Sequence, residues 1–513
     1  MTVLLEVFLT LAFGALHSLP MGRPGLWWVQ PLALAWLVWR VGRASPRRAA
    51  WLGWLFGTAW LSCTVWWLFI SMYRYGGLPA WMSAGAVLLL SGALSLYLAL
   101  AMGLFARWRT RSLGLDALML AALWLLAELA RGRIFTGFPW GASGYAHVEG
   151  PLAALAPWIG VYGLGALATV VVAWWVLGGT AAPVGRTLRW GVGGLMVAGL
   201  GLVHLMGPPE FTTPAGTLKV ALLQNNVPQQ EKFSPGHVLP ELDWTRDKLT
   251  GLAVDLVVAP ETVIPLLPGQ VPAEFWTPVR AHFTRTGKHA LLGLPLGDLH
   301  SGYTNSVAGL SAPALQTPTG FYRYDKHHLV PFGEFIPTGF RWFTNLMNMP
   351  LGDFDRGSVN APSFPVRTAE GTQWVAPNIC YEDLFGEELA VRFLQPHPPT
   401  VMANLSNIGW FGNTVAVAQH LQISRMRSLE LQRPMLRATN TGATAFIDHR
   451  GVVRDRLPAA VRGVLSGEVE GREGFTPFAY WASRGGVWPL VVAALLMVGG
   501  LRWHARRRRA GQR

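Results

Sequence analysis

Eight apolar runs, seven of them within the first 207 residues, set the tightest limit on what this chain can fold into. Six are long enough to cross a bilayer, near residues 50–72, 79–106, 114–130, 153–179, 188–207 and 486–503, because about 20 apolar residues in helical form match the hydrocarbon thickness. Two shorter runs, 3–19 and 26–42, open the sequence and are broken by Pro20 and Pro24. In lipid such runs can satisfy their backbone polar groups only as helices. The run 3–19 lacks a basic leader and contains Glu6, so it reads as a retained helix rather than a cleaved signal. The expectation is a polytopic α-helical membrane domain with about eight spans. Residues 1–207 would carry seven transmembrane helices, and residues 486–513 a last one followed by a basic tail.

The net charge of +14 could suggest a nucleic-acid partner, so its distribution decides. All five lysines lie beyond residue 210, and the first 210 residues carry arginine clustered between apolar runs. With a cytoplasmic N-terminus, the cytoplasmic loops and tail hold fifteen arginines, from Arg40 to Arg513. The short loops opposite hold four: Arg23, Arg74, Arg131 and Arg133. That asymmetry is membrane topology. It predicts a membrane protein with both termini cytoplasmic and residues 208–485 outside the cytoplasm, and no nucleic acid. Of the two cysteines, Cys63 lies in an apolar run and reads as a small packing residue.

From about residue 217 the texture changes. Leu218–Gln224, Asp255–Pro260, Ala290–Leu294, Thr372–Ala376 and Thr400–Asn404 read as buried strands, and 416–432 as a helix packed on a sheet. Alternating strands and helices indicate an α/β layered domain. Cys380 ends one strand, in Asn378-Ile379-Cys380-Tyr381-Glu382, and Glu261 follows another in Ala259-Pro260-Glu261. Lys326 stands in Tyr324-Asp325-Lys326-His327-His328. A neutral thiol needs a base or a positive neighbour to act as a nucleophile. Glu261 could supply the first and Lys326 the second, with the Tyr381 N–H as a further oxyanion donor. Residue types alone leave other roles open: a strand-end Pro-Glu is often a cap, and a lone lysine is usually solvated.

Pro260-Glu261, the segment Lys326 to Glu334 and Asn378 to Glu382 resemble the three signature segments of the nitrilase superfamily. Their variants are similar to those of the apolipoprotein N-acyltransferase family. The likeness extends to Thr136–Gly141, Gln224–Gln229, Trp410–Gly412 and Arg425–Glu430, and so to nearly the whole chain. The resemblance implies a nitrilase-like αββα sandwich and a ping-pong reaction. Glu261 would deprotonate Cys380, which takes an acyl chain from a phospholipid, likened to the sn-1 chain of phosphatidylethanolamine. Lys326 and the Tyr381 amide would hold the oxyanion. The thioester would then pass to the α-amine of a diacylglyceryl-cysteine at an apolipoprotein N-terminus. Glu334 would orient Lys326, Tyr381 and Glu382 would shape the nucleophile turn, and Asn305 would bond within the site. His327 and His328 read as surface or supporting residues.

Two departures stand out. Lys232-Phe233 occupies a place where the family often has tryptophan, which bears on lipid contacts. Ser406-Asn407-Ile408 replaces a common Ser-Asn-Asp. The apolar stretch 339–350, with Trp342, Phe343, Leu346, Met347 and Met349, reads as a lipid-facing arm rather than a core helix. No histidine or cysteine grouping has metal-ligand spacing, so neither metal nor cofactor is expected. Two other functions compete: a membrane-tethered amidase acting on a small C–N bond, and a lipid transporter or scaffold with a degenerate catalytic domain.

Overall fold

The computed structural model describes residues 2–110, 112–178, 183–298, 300–344 and 353–510. Contacts divide the chain into two units. One comprises Met1–Phe69, Ala80–Pro209 and Gly485–Arg513, the other Ile70–Pro79 and Glu210–Arg484. Ten residues of the stretch assigned whole to the membrane domain thus cluster with the second unit.

The first unit is helical. Ala80–Trp108, Leu113–Thr136, Ala153–Leu177 and Trp488–Arg507 are long and apolar enough to cross a membrane, and the bent pair Pro46–Val65 and Leu68–Tyr75 adds a fifth if it is one span. Val3–Ser18, Val29–Val41 and Trp190–Met206 are apolar but shorter helices. Length and composition therefore support four to five spans. Of the other expected runs, Val3–Ser18 and Val29–Val41 are helices too short to meet that measure alone, and Trp190–Met206 is the apolar part of the helix Pro183–Met206.

Close packing in this unit relies on small residues. A β-carbon on Gly14 would come within 2.4 Å of the Phe56 carbonyl oxygen. Charges are paired: buried Glu6 accepts from Arg40 at 2.5 Å and also from Arg48. Buried Glu128 accepts from Ser143 N at 2.7 Å and Ser143 Oγ at 2.8 Å. Arg131 donates to the carbonyls of Phe138 and Trp140, both at 2.8 Å, and so braces the Thr136–Gly141 segment. Cys63 is a free, exposed thiol.

Among the described residues the second unit is a sandwich of twelve strands: β1 (Thr212–Gln224), β2 (Leu256–Val258), β3 (His289–Asp298), β4 (Gly302–Leu310), β5 (Tyr322–Asp325), β6 (Phe364–Thr368), β7 (Gly371–Ile379), β8 (Val401–Ser406), β9 (Met435–Thr439), β10 (Ala445–Ile447), β11 (Val453–Arg456) and β12 (Gly463–Gly474). They form two six-stranded sheets, in the orders β12-β1-β2-β3-β4-β5 and β11-β10-β9-β8-β7-β6. The centre of each sheet is parallel, β1-β2-β3 in one and β7-β8-β9 in the other.

Leu218, Val220, Leu222 and Val258 from one sheet pack against Val375, Ile379, Val401 and Leu405 from the other. Phe275, Val279 and Phe283 of the helix Ala273–Thr286 cover the first sheet's outer face. Leu421 and Leu431 of the helix Val415–Leu431 cover the second, with Phe478 and Ala482. The layers are helix, sheet, sheet, helix, as expected. Burying each such side chain contributes roughly 1.5–3 kcal/mol. Strands covered on both faces read as unbroken apolar runs, which is why β1, β2 and β3 were legible. β4 and β12 were not, because Tyr303-Thr304-Asn305 and Gly467–Gly474 are polar or glycine-rich.

Candidate active site

Glu261, Lys326, Cys380 and Asn407 each follow the carboxyl end of a strand: β2, β5, β7 and β8. Ligands in open α/β sheets bind at that end. The loop carrying Glu261 lies directly on β3. Ile264 N donates to Gly293 O at 3.2 Å, and a β-carbon on Gly293 would fall 2.6 Å from the Glu261 Cα. Only glycine permits that approach.

Glu261 and Lys326 come together with two of their expected supporters, and Cys380 lies near enough to feel their charges. Glu261 Oε1 accepts from Asn305 Nδ2 at 2.8 Å and Lys326 Nζ at 3.4 Å, and its Oε2 accepts from Asn407 N at 2.8 Å. Lys326 Nζ donates to Glu334 Oε1 at 2.8 Å, which also accepts from Asn305 Nδ2 at 2.6 Å. Glu334 Oε2 accepts from Val330 N at 2.8 Å. All four side chains are buried. Asn305 sits within β4 and bridges both carboxylates.

Glu382 joins the lysine loop to the nucleophile turn. Its Oε2 accepts from Ile379 N and the Tyr324 hydroxyl, each at 2.7 Å, and its Oε1 from His327 N at 2.7 Å and His328 N at 3.2 Å. Tyr381 is buried beside His328 and Phe385. His328 is a core residue rather than a surface one: it stacks on Phe385 at 3.5 Å, with Nδ1 3.1 Å from Glu388. His327 is partly buried, with Nδ1 2.8 Å from the Gly357 carbonyl oxygen.

Electrostatics assign what each group can do. Burial, then the negative charge of Glu261, pushes the Cys380 thiol up to about 12, while Lys326 acts in the opposite direction. The thiol keeps its proton at rest and needs a base to remove it. Burial disfavours the Lys326 ammonium, but Glu334 and Glu261 outweigh that and hold it above its ordinary value. Lys326 is therefore a fixed cation and cannot be the base. Glu261 presents a carboxylate whose oxygens are aligned by three donors.

Lys232 was read as a change in lipid contacts, and the structure gives it another place. It is buried, donates to the Glu261 carbonyl oxygen at 3.1 Å, and burial lowers it to about 8 against the pull of Glu261 and Cys380. A lone lysine before Phe233 gives no sequence signal of this. Ile408 is buried, and Asn407 beside it bonds Gln229 at 2.9 Å. Of the expected arm, Trp342 is exposed. The Phe343 side chain, Leu346, Met347 and Met349 lie outside the described residues.

The geometry can be set beside known proteins. The family model described as apolipoprotein N-acyltransferase N-terminal domain matches residues 13–174, and that described as carbon-nitrogen hydrolase matches residues 219–474. An apolipoprotein N-acyltransferase of Verminephrobacter eiseniae is 49% identical over 498 residues, covering 93% of this chain and 92% of that one. One of Ralstonia nicotianae is 46% identical over 504 residues, covering 97% and 93%. A Nitrosomonas europaea relative of the same name is 35% identical, covering 94% of each. At such identity over nearly its full length, the chain belongs to the apolipoprotein N-acyltransferase family and is an acyltransferase enzyme.

Proposed function

We propose that this enzyme moves an acyl chain from a phospholipid, the sn-1 chain of phosphatidylethanolamine, to the α-amine of the N-terminal diacylglyceryl-cysteine of apolipoproteins. One observation carries the reading: a protonated thiol, a carboxylate with aligned oxygens and a fixed ammonium meet at one end of the sandwich. Glu261 takes the Cys380 proton as sulfur attacks the ester carbonyl. The Lys326 ammonium and the Tyr381 N–H hold the oxyanion. On collapse the carbon–oxygen bond breaks, and Glu261 returns the proton to the departing lysophospholipid oxygen. The α-amine then attacks the thioester and loses a proton to Glu261, which passes it to the leaving Cys380 sulfur. Asn305, Glu334 and Glu382 keep Glu261 and Lys326 in register with Cys380.

The reading extends to topology. Residues 1–207 and 486–513 form eight spans of a bacterial inner membrane with both termini cytoplasmic, and residues 208–485 form the extracytoplasmic catalytic domain. Fifteen arginines against four support that orientation. The arm with Trp342, Phe343, Leu346, Met347 and Met349 meets lipid, which the exposure of Trp342 favours.

Purified protein incubated with alkyne-labelled phospholipid tests the chemistry. A hydroxylamine-sensitive adduct is expected that Cys380→Ala abolishes and that a diacylated lipopeptide discharges as an amide. Discharge by water alone, with the lipopeptide ignored, would overturn the acceptor assignment.

A further inference from the structure

The Cys380 main chain has a φ of +50°, a conformation that residues with a β-carbon rarely adopt. Something must hold it there. Its carbonyl oxygen accepts from two buried side chains, Asn404 Nδ2 on β8 at 3.3 Å and His420 Nε2 on the helix Val415–Leu431 at 3.1 Å. Neither donor is free to choose its orientation. Arg437 Nη2 lies 2.9 Å from His420 Nδ1, and Arg437 Nη1 donates to Asn404 Oδ1 at 3.1 Å.

A guanidinium only donates. His420 Nδ1 must therefore accept, which puts the ring proton on Nε2, facing Cys380. By the same logic Asn404 turns its oxygen to Arg437 and its amide nitrogen to Cys380. Arg437 is itself set by Ser424 Oγ at 2.7 Å and by Asp383 at 3.5 Å, and Ser424 bonds Asp383. All five side chains are nearly or fully inaccessible. Burial, then Arg437, keeps the imidazole neutral, as this arrangement requires.

We propose that Arg437, acting through His420 and Asn404, clamps the Cys380 carbonyl and so aims the thiol, making His420 a positioning residue for acyl transfer. This rests on Cys380 being the nucleophile of the reaction proposed above. A plain packing role would require only that these groups fill space. The clamp requires an N–H at the Nε2 position.

Two near-isosteric variants separate the alternatives in full-length protein carrying Cys63→Ser, where Cys380 is the sole thiol. His420→Asn ends near the Nδ1 position, keeping the Arg437 contact and losing the donor. His420→Gln restores an N–H near Nε2. Single-turnover acylation by alkyne phospholipid is expected to slow about tenfold or more in His420→Asn and to recover to within about threefold of wild type in His420→Gln. Alkylation of Cys380 by chloroacetamide, which needs no acyl chemistry, is expected to follow the same order. Equal rates in the two variants at equal melting temperature overturn the clamp. If the parent alkylates but never acylates, the nucleophile assignment fails, while the alkylation order still judges the clamp. Should His420→Asn not fold, Asn404→Ser removes the other donor, and alkylation at the parent rate by that protein overturns the proposal.

Discussion

Glu128 with Arg131 in the helical unit and Glu261 with Lys326 in the sandwich are both buried acid–base pairs, 3.6 and 3.4 Å apart, yet they are tied down differently. Glu128 is held by a serine's N–H and hydroxyl, and Arg131 by two main-chain carbonyls. Those bonds shape a loop. Lys326 is instead shared by two carboxylates that Asn305 links, beside a thiol that feels their charges. A buried charge tied to backbone builds geometry, whereas one tied to other ionisable groups builds a place where protons can move.

Removing the shared cation should have the largest effect. Lys326→Met leaves Glu261 and Glu334 buried together, and acylation is expected to fall by about 10³-fold or more. Breaking a buried ion pair should also cost about 3–5 kcal/mol in chemical denaturation. Activity within tenfold of wild type would erase the distinction between the two pairs.

Glu128→Gln should behave in the opposite way. It weakens the bonds to Ser143, so a loss of about 1–3 kcal/mol in stability is expected in detergent melts. The acylation rate per folded molecule should stay within about threefold. Acylation lost at an unchanged melting temperature would show that the helical pair also takes part in chemistry.

The smallest effect sharpens the contrast within the sandwich. Lys232 titrates at about 8 in the fold against its ordinary 10.5, so between those pH values the unfolded chain binds the extra proton. Its charging therefore opposes folding most fully below about pH 8, and that penalty fades as pH approaches 10.5. Melting temperatures of wild type and Lys232→Met, compared from pH 7 to 10, should shift in favour of wild type as pH rises. A difference independent of pH would mean that Lys232 is not perturbed.

Much of the site was legible because its chemistry sits in short motifs at strand ends. Cys380 and Glu261 each follow an apolar run, Lys326 stands in the distinctive Tyr324–His328 segment, and the resemblance gave them roles. Asn305 was harder to read. Its contact with Lys326 depends on the β4–β5 register, in which Ser306 pairs with Asp325 and Lys326 N donates to Asn305 O. Glu382 was expected to shape the nucleophile turn and also bonds the Tyr324 hydroxyl and the His327 and His328 amides. The place of Lys232 had no signal, because nothing adjacent in the chain reports that its amine reaches the Glu261 carbonyl.

The amino-acid order alone determined that much of this chain is apolar helix and that a layered domain bearing a thiol, a carboxylate and an amine follows. Those follow from side-chain type and local periodicity, which a linear string records. Only the tertiary structure decided that burial pushes the Cys380 thiol up, that Glu334 and Glu261 hold the Lys326 ammonium above its ordinary value, and that His420 sits between the Cys380 carbonyl and Arg437. Protonation and tautomer depend on burial and on partners brought from distant segments, and no local pattern encodes either.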